Sequence, residues 1–243
     1  MKNLIQEEKE VTHGSENTLN SVLPRRSFLQ FAGAGAVGVA LMAAGCSKDK
    51  DYVGPTDPIV PGENKVNLGS GDNGILNYAL VLEQLEAAFY TKVVASFWSG
   101  ISEKEQDFIT DIQLHEVAHR ELLNNLLGDK KIGNLAFDFS KINFSDRNSV
   151  LSAAKDLEDI GVAAYNGIAP ALKSKDALIT AAKIVSVEAR HAAYIRETLK
   201  PNDFAAGVVG ANGQDRALPP SAVLDFVKQY ITTEINASNL PTA

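Results

Sequence analysis

The chain has 243 residues, 45% hydrophobic and 22% charged, with a net charge of −7. That balance excludes a disordered, collagen-like or multi-span membrane chain and fits one soluble domain with added segments. The negative charge makes nucleic acid a poor partner. The single cysteine, Cys46, excludes an internal disulfide and argues against a thiolate-built zinc site.

Residues 1–46 read as an address. Pro24-Arg25-Arg26-Ser27-Phe28-Leu29-Gln30 precedes an uncharged, Gly- and Ala-rich run from Phe31 to Gly45. The run is short for a transmembrane helix and suits the apolar core of a signal peptide. The paired arginines resemble a twin-arginine export signal. Ala43-Ala44-Gly45-Cys46 resembles a lipoprotein cleavage box, with Ala43 where such boxes usually carry leucine. The alternative is an uncleaved N-terminal anchor. Lipid on Cys46 would attach the body to a membrane at about 0.8 kcal/mol per buried methylene. In either case the body is expected outside the cytoplasmic membrane, in the cell envelope, facing the periplasm or the surface. Gly33-Ala34-Gly35-Ala36-Val37-Gly38 matches a dinucleotide-loop pattern, but it lies inside the signal core with no strand before it.

Residues 47–71 are rich in proline and glycine and read as a flexible tether with a span of about 25–30 Å. The charged run Ser47-Lys48-Asp49-Lys50-Asp51 resembles surface-export tags of some bacterial lipoproteins and equally suits a solvated segment.

Residues 72–200 predict a four-helix bundle, an all-α fold. The first helix is expected over about 72–98, with Asp72 as N-cap and Leu76, Leu80, Ala87 and Val94 inward. The second is expected over 103–127, opened by a Ser102/Glu105 capping box and ended by Gly128, with Ile109, Ile112, Leu123 and Leu126 inward. A long connection follows, whose Phe137, Phe139 and Phe144 are expected to pack over one end. The third helix is expected over about 146–173, with Leu151, Ala154, Gly161, Ile168 and Leu172 inward and an irregular end at Pro170. The fourth is expected over about 175–199, with Ala181, Ile184, Ile195 and Leu199 inward and Pro201 as its stop. Residues 201–243 then form a Gly-rich loop (207–213) and a short extra helix over about 221–234, introduced by Pro219-Pro220.

Each inward stripe is interrupted near its middle by a carboxylate: Glu83, Glu116, Glu158 and Glu188. A glutamate facing a core is costly unless paired or metal-bound. Glu116 and His119 are three residues apart, as are Glu188 and His191, which puts each pair on one helix face. Glu83 is followed by Tyr90 at +7, and Glu158 by Tyr165 at +7. The body therefore reads as two copies of one helical hairpin, related by a pseudo-twofold axis, with six ligands around two ions.

Here the chain resembles the ferritin-like superfamily of di-iron and di-manganese carboxylate proteins, whose pattern is one Glu from each of two helices and Glu-x-x-His from the other two. The segment GILNYALVLEQLEAAFY (74–90) and the exported context resemble the ferritin-like domain family that includes desiccation-related proteins. The resemblance implies Glu83 and Glu158 as terminal ligands, Glu116 and Glu188 as bridges, and one nitrogen each from His119 and His191. It implies two iron ions, or manganese, with zinc another possible occupant, since four carboxylates balance two divalent cations. Tyr90 and Tyr165 would hydrogen-bond the ligands; otherwise they are core tyrosines with satisfied hydroxyls.

Other groups are read as bystanders. Glu86 could replace Glu83 as ligand, but the tyrosine spacing favours Glu83. His115 lies about 100° around the helix from Glu116 and reads as flanking or solvated. Glu121, Asp156 and Asp159 are expected on solvated faces, Trp98 in packing, and His13 in the removed signal. The functional expectation is oxidoreductase chemistry with oxygen, peroxide or ferrous iron. The alternative is a metal-poor structural bundle active in the stress response, without catalysis. A third reading, an iron-storage cage, sits poorly with a lipidated, tethered N-terminus. No nucleophile elbow or Walker loop is present in the body.

Overall fold

The computed structural model describes residues 64–241. The signal, Cys46 and residues 47–63 of the expected tether lie outside the described residues. The fold is all-α, four long helices and a short fifth: α1 (Gly71–Ala95), α2 (Glu103–Leu127), α3 (Arg147–Ile168), α4 (Lys175–Leu199) and α5 (Pro220–Val227). Strands β1 (Lys65–Asn67) and β2 (Glu234–Asn236) pair in parallel. β1 takes up the last part of the expected tether, and β2 occupies positions beyond a fifth helix that ends earlier than expected.

Local chemistry accounts for most boundaries. Ser102 and Glu105 form the capping box that opens α2, and Gly128 closes it at φ 54°. Ser174 caps α4 by accepting from the Ala177 amide. α3 passes into a 3-10 turn at Ala169–Ala171, because Pro170 cannot continue the α-helical ladder. Asp72 is not the N-cap of α1; Ser70 holds that position. Asp72 instead accepts from the Lys173 and Ser174 amides at 3.0 and 2.7 Å, tying the start of α1 to the start of α4.

Short connections pair α1 with α2 and α3 with α4 as antiparallel hairpins. The 128–146 segment runs back along α1. Near the start of α1, Asn77 donates to the Lys130 carbonyl and accepts from the Ile132 amide. Midway, Gln84 accepts from the Leu135 amide. Near its end, Lys92 sits 4.7 Å from the centre of the Phe144 ring. α3 therefore starts where α1 ends, and the two run antiparallel. Phe139 is buried in this segment, with Phe137 and Phe144 packed beside it.

The C-terminal segment lies on the same layer, where Asp138 N donates to Tyr230 O and Thr232 N to Ala136 O. Crossover and C-terminal segment together cover the outer face of α1. That is why α1 is buried almost all round rather than along one stripe. The predicted inward stripes hold with one clear exception: Leu126 is 45% exposed, and Leu127 faces the core in its place.

The loop after α4 is fastened by Arg196. Its guanidinium makes two bonds to Asp159 (2.8 and 2.7 Å) and reaches Asp203 Oδ2 and the Ala206 carbonyl. Asp159 is thus a buried partner and not the solvated residue its position suggested. Removing one member of a buried ion pair strands the other. Arg196→Ala is accordingly expected to cost about 3–5 kcal/mol in chemical denaturation. At Gly167 a Cβ would lie 1.9 Å from the Leu218 carbonyl oxygen, so glycine lets the returning chain cross α3.

Candidate metal centre

Four glutamates and two histidines meet midway along the bundle. Glu83 comes from α1, Glu116 and His119 from α2, Glu158 from α3, and Glu188 and His191 from α4. The four carboxylates are 0% exposed, which removes water as a source of compensation. All six expected residues converge.

Their polar atoms fall into two sets of four. In the first, His119 Nδ1 lies 2.8 Å from Glu188 Oε1, 3.4 Å from Glu83 Oε2 and 3.6 Å from Glu116 Oε2. In the second, His191 Nδ1 lies 2.9 Å from Glu116 Oε1, 3.5 Å from Glu158 Oε2 and 4.0 Å from Glu188 Oε2. Glu116 and Glu188 each give one oxygen to each set.

None of these eight buried atoms has an aligned hydrogen-bond partner. Leaving one such group unpaired costs about 1–3 kcal/mol, and more when it is charged. Around a cation at about 2.0–2.4 Å, neighbouring ligand atoms come about 3–3.5 Å apart, close to the spacings here. Oxygen donors with one imidazole per set suit iron or manganese. The residues present therefore fit a metal site.

The tyrosines cross between the two hairpins. Tyr90 donates to Glu158 Oε1 at 2.5 Å, and Tyr165 donates to Glu83 Oε1. Each bond occupies one carboxylate oxygen and leaves the other, Oε2, facing the shared pocket. The reciprocity reproduces the pseudo-twofold relation that the repeat predicts.

Electrostatics in the metal-free pocket are strained. Burial opposes charge on His119, but Glu116, Glu188 and Glu83 outweigh it and raise its pKa; Glu158 and Glu116 do the same for His191. Burial also opposes charge on Glu116, yet the two histidines beside it hold its pKa down at about 2. Burial lifts Glu83 to about 7 and raises Glu158. Burial and neighbouring carboxylates push Glu188 well above the usual range. Protons thus neutralise most of a pocket that two cations would neutralise otherwise.

Two residues that sequence reasoning set aside belong to the site. Glu86 is buried beside the six and is not merely a rival of Glu83. Burial, then Glu188 and the other carboxylates, raise its pKa well above the usual range. A Cβ on Gly161 would lie 3.1 Å from Glu86 Oε1, so glycine makes room for it. His115 is half-buried and flanks the ligands, the first of its two expected placements: its Nδ1 is 2.9 Å from His191 Nε2. The available signal for Glu86 was its one-turn spacing from Glu83; His115 had none beyond its neighbour Glu116. Glu121 is exposed, Asp156 half-buried against Lys155, and Trp98 buried in packing, as expected for the first and last.

Comparison with known families agrees with this geometry. A family model described as a ferritin-like domain matches residues 71–201, more than half the chain and all four long helices. No curated protein matches. With the bundle, the paired carboxylate–histidine helices and that match in hand, the chain belongs to the ferritin-like domain family.

Proposed function

We propose that this is an exported, lipid-anchored protein holding two iron or manganese ions for redox chemistry with oxygen, peroxide or ferrous iron. The observation that carries the metal reading is the eight buried, unpartnered atoms arranged as two sets of four. Glu83, Glu116, His119 and Glu188 would hold one ion, and Glu116, Glu158, Glu188 and His191 the other. Bound iron or manganese would supply paired one-electron steps that the side chains lack.

The chain's own residues set the conditions. Tyr90 and Tyr165 orient Glu158 and Glu83. Glu116 and Glu188 span both positions. Leu80, Ile112, Leu151, Leu157 and Ile184 are part of the dry apolar core around the bundle axis. Export rests on Arg25-Arg26 and the uncharged run after them, and anchoring on Cys46. Among the described residues no helix is long and apolar enough to cross a membrane.

The test is to load the metal-free chain with ferrous iron without oxygen and then add hydrogen peroxide or oxygen. Iron oxidation is expected to run at least about tenfold faster than for free iron, with one peroxide reduced for each pair of ferrous ions oxidised. Iron that binds but oxidises no faster than free iron would overturn the redox assignment. A chain that binds no iron would favour the metal-poor stress-protective bundle.

A further inference from the structure

We propose that the two cation positions are unequal and fill in order, the position at His191 first, with His115 as the positioning residue that favours it. This inference rests on the dinuclear reading above. The two hairpins match at Glu83 and Glu158, Tyr90 and Tyr165, Glu116 and Glu188, His119 and His191. Among the places where they differ, two bring an ionisable group to the pocket, and both of these lie on the same side.

The first is His115, whose counterpart before Glu188 is Val187. The rings of His115 and His191 lie within 7° of parallel, with centroids 5.2 Å apart and nitrogens at 2.9 Å. That centroid spacing is the nitrogen–nitrogen distance plus two short ring radii. The contact is therefore a head-on hydrogen bond between nearly coplanar rings. His191 faces the ligand set through Nδ1. A coordinating Nδ1 carries no proton, so Nε2 bears it and donates to His115 Nδ1. The bond fixes ring orientation before any ion arrives and the tautomer once Nδ1 gives up its proton, and it makes His191 a stronger donor. Among the described residues no side chain does this for His119, which is also the more exposed, 11% of its side chain against 5%. Valine at 187 has no group to offer.

The second difference is Glu86, whose counterpart is Gly161. The point where a Gly161 Cβ would sit is 3.1 Å from Glu86 Oε1 and 3.7 Å from Glu188 Oε2. Glu188 Oε2 belongs to the His191 set. The fifth carboxyl group thus stands on the side where the imidazole is already held, and adds negative charge there when an arriving cation displaces its proton.

The test is titration of the metal-free full chain with cobalt(II), followed by calorimetry and by visible absorbance. Two steps are expected, separated by about tenfold or more. His191→Ala should remove the tighter step and His119→Ala the weaker one. His115→Ala should weaken the tighter step by about 10–100-fold and leave the weaker one within about twofold. His115→Asn places Oδ1 where Nδ1 stands and should restore most of the separation. Circular dichroism checks that each metal-free variant is helical. If His115→Ala does not fold, the wild-type steps and the two histidine-ligand variants still decide the order. Two equal steps in the wild type, loss of the weaker step in His191→Ala, or equal weakening of both by His115→Ala would overturn the inference and leave the dinuclear reading intact. A wild-type chain that takes up no cobalt would overturn the dinuclear reading itself.

Discussion

Glu188→Gln is expected to abolish metal binding while leaving the metal-free bundle within about 1 kcal/mol of wild type; Glu116→Gln is expected to abolish binding and also cost about 3–5 kcal/mol. The two residues have matching places in the repeat, and each gives one oxygen to each ligand set. Their states in the metal-free chain differ. Glu188 is held protonated by burial and by its neighbouring carboxylates, so a neutral amide of the same shape replaces a neutral acid. Glu116 is held ionised between His119 and His191. Its loss leaves two buried imidazolium groups without their shared counter-charge. Denaturation in chelator measures the stability difference. Equilibrium dialysis against manganese(II) measures binding, expected to fall from about two ions per chain to below about 0.5 in both variants. Retention of two ions by either variant would remove the bridging assignment.

The metal-free chain is expected to be most stable near pH 4.5–5 and to weaken as pH rises toward 7. Glu83 has an ordinary value of 4.5 and is lifted to about 7 in the folded chain. Between those values the folded chain holds a proton that the unfolded chain releases. Stability then falls with rising pH, by about 3 kcal/mol from Glu83 alone. Glu86, Glu158 and Glu188 act with the same sign, because burial raises each of them. His119 and His191 also act with that sign above their ordinary value of 6.5. Glu116 acts oppositely: held at about 2, it contributes stability above 4.5 that is lost as pH falls toward 2. Metal reverses the trend above pH 5, since cations bind the deprotonated ligands and affinity rises as protons leave. Urea denaturation at pH 5 and 7.5, in chelator and in excess manganese(II), should give slopes of opposite sign. A metal-free chain that gains stability across that range would contradict the assignment of protonated carboxylates.

The site was legible where the sequence carried period and repetition together. Four carboxylates at equal depth in apolar stripes, two of them three residues before a histidine, define the pocket from spacing alone. The +7 tyrosines located the hydrogen bonds to Glu83 and Glu158, though not their crossing between hairpins, which depends on α1 and α3 running antiparallel. Helix periodicity placed α2 and α4 to the residue. It understated the burial of α1, because the crossover and C-terminal segment cover its outer face through contacts far apart in sequence. Asn77 and Gln84 are buried for that reason, with amides that serve the crossover backbone. Glu86 and Asp159 were misplaced by a shared cause: each is polar, lies beside a stripe, and owes its burial to another helix, Glu86 to the space at Gly161 and Asp159 to Arg196. The β1–β2 pair was beyond reach, since three residues at each end of the domain carry no period that could be read.

Anomalous diffraction from a crystal of the chain soaked in manganese(II) tests the central claim most directly. Two peaks are predicted. One should lie about 2.0–2.4 Å from Glu83 Oε2, Glu116 Oε2, His119 Nδ1 and Glu188 Oε1, the other equally close to Glu116 Oε1, Glu158 Oε2, Glu188 Oε2 and His191 Nδ1. A pocket without a peak at saturating manganese, or manganese bound only to surface carboxylates, would contradict it.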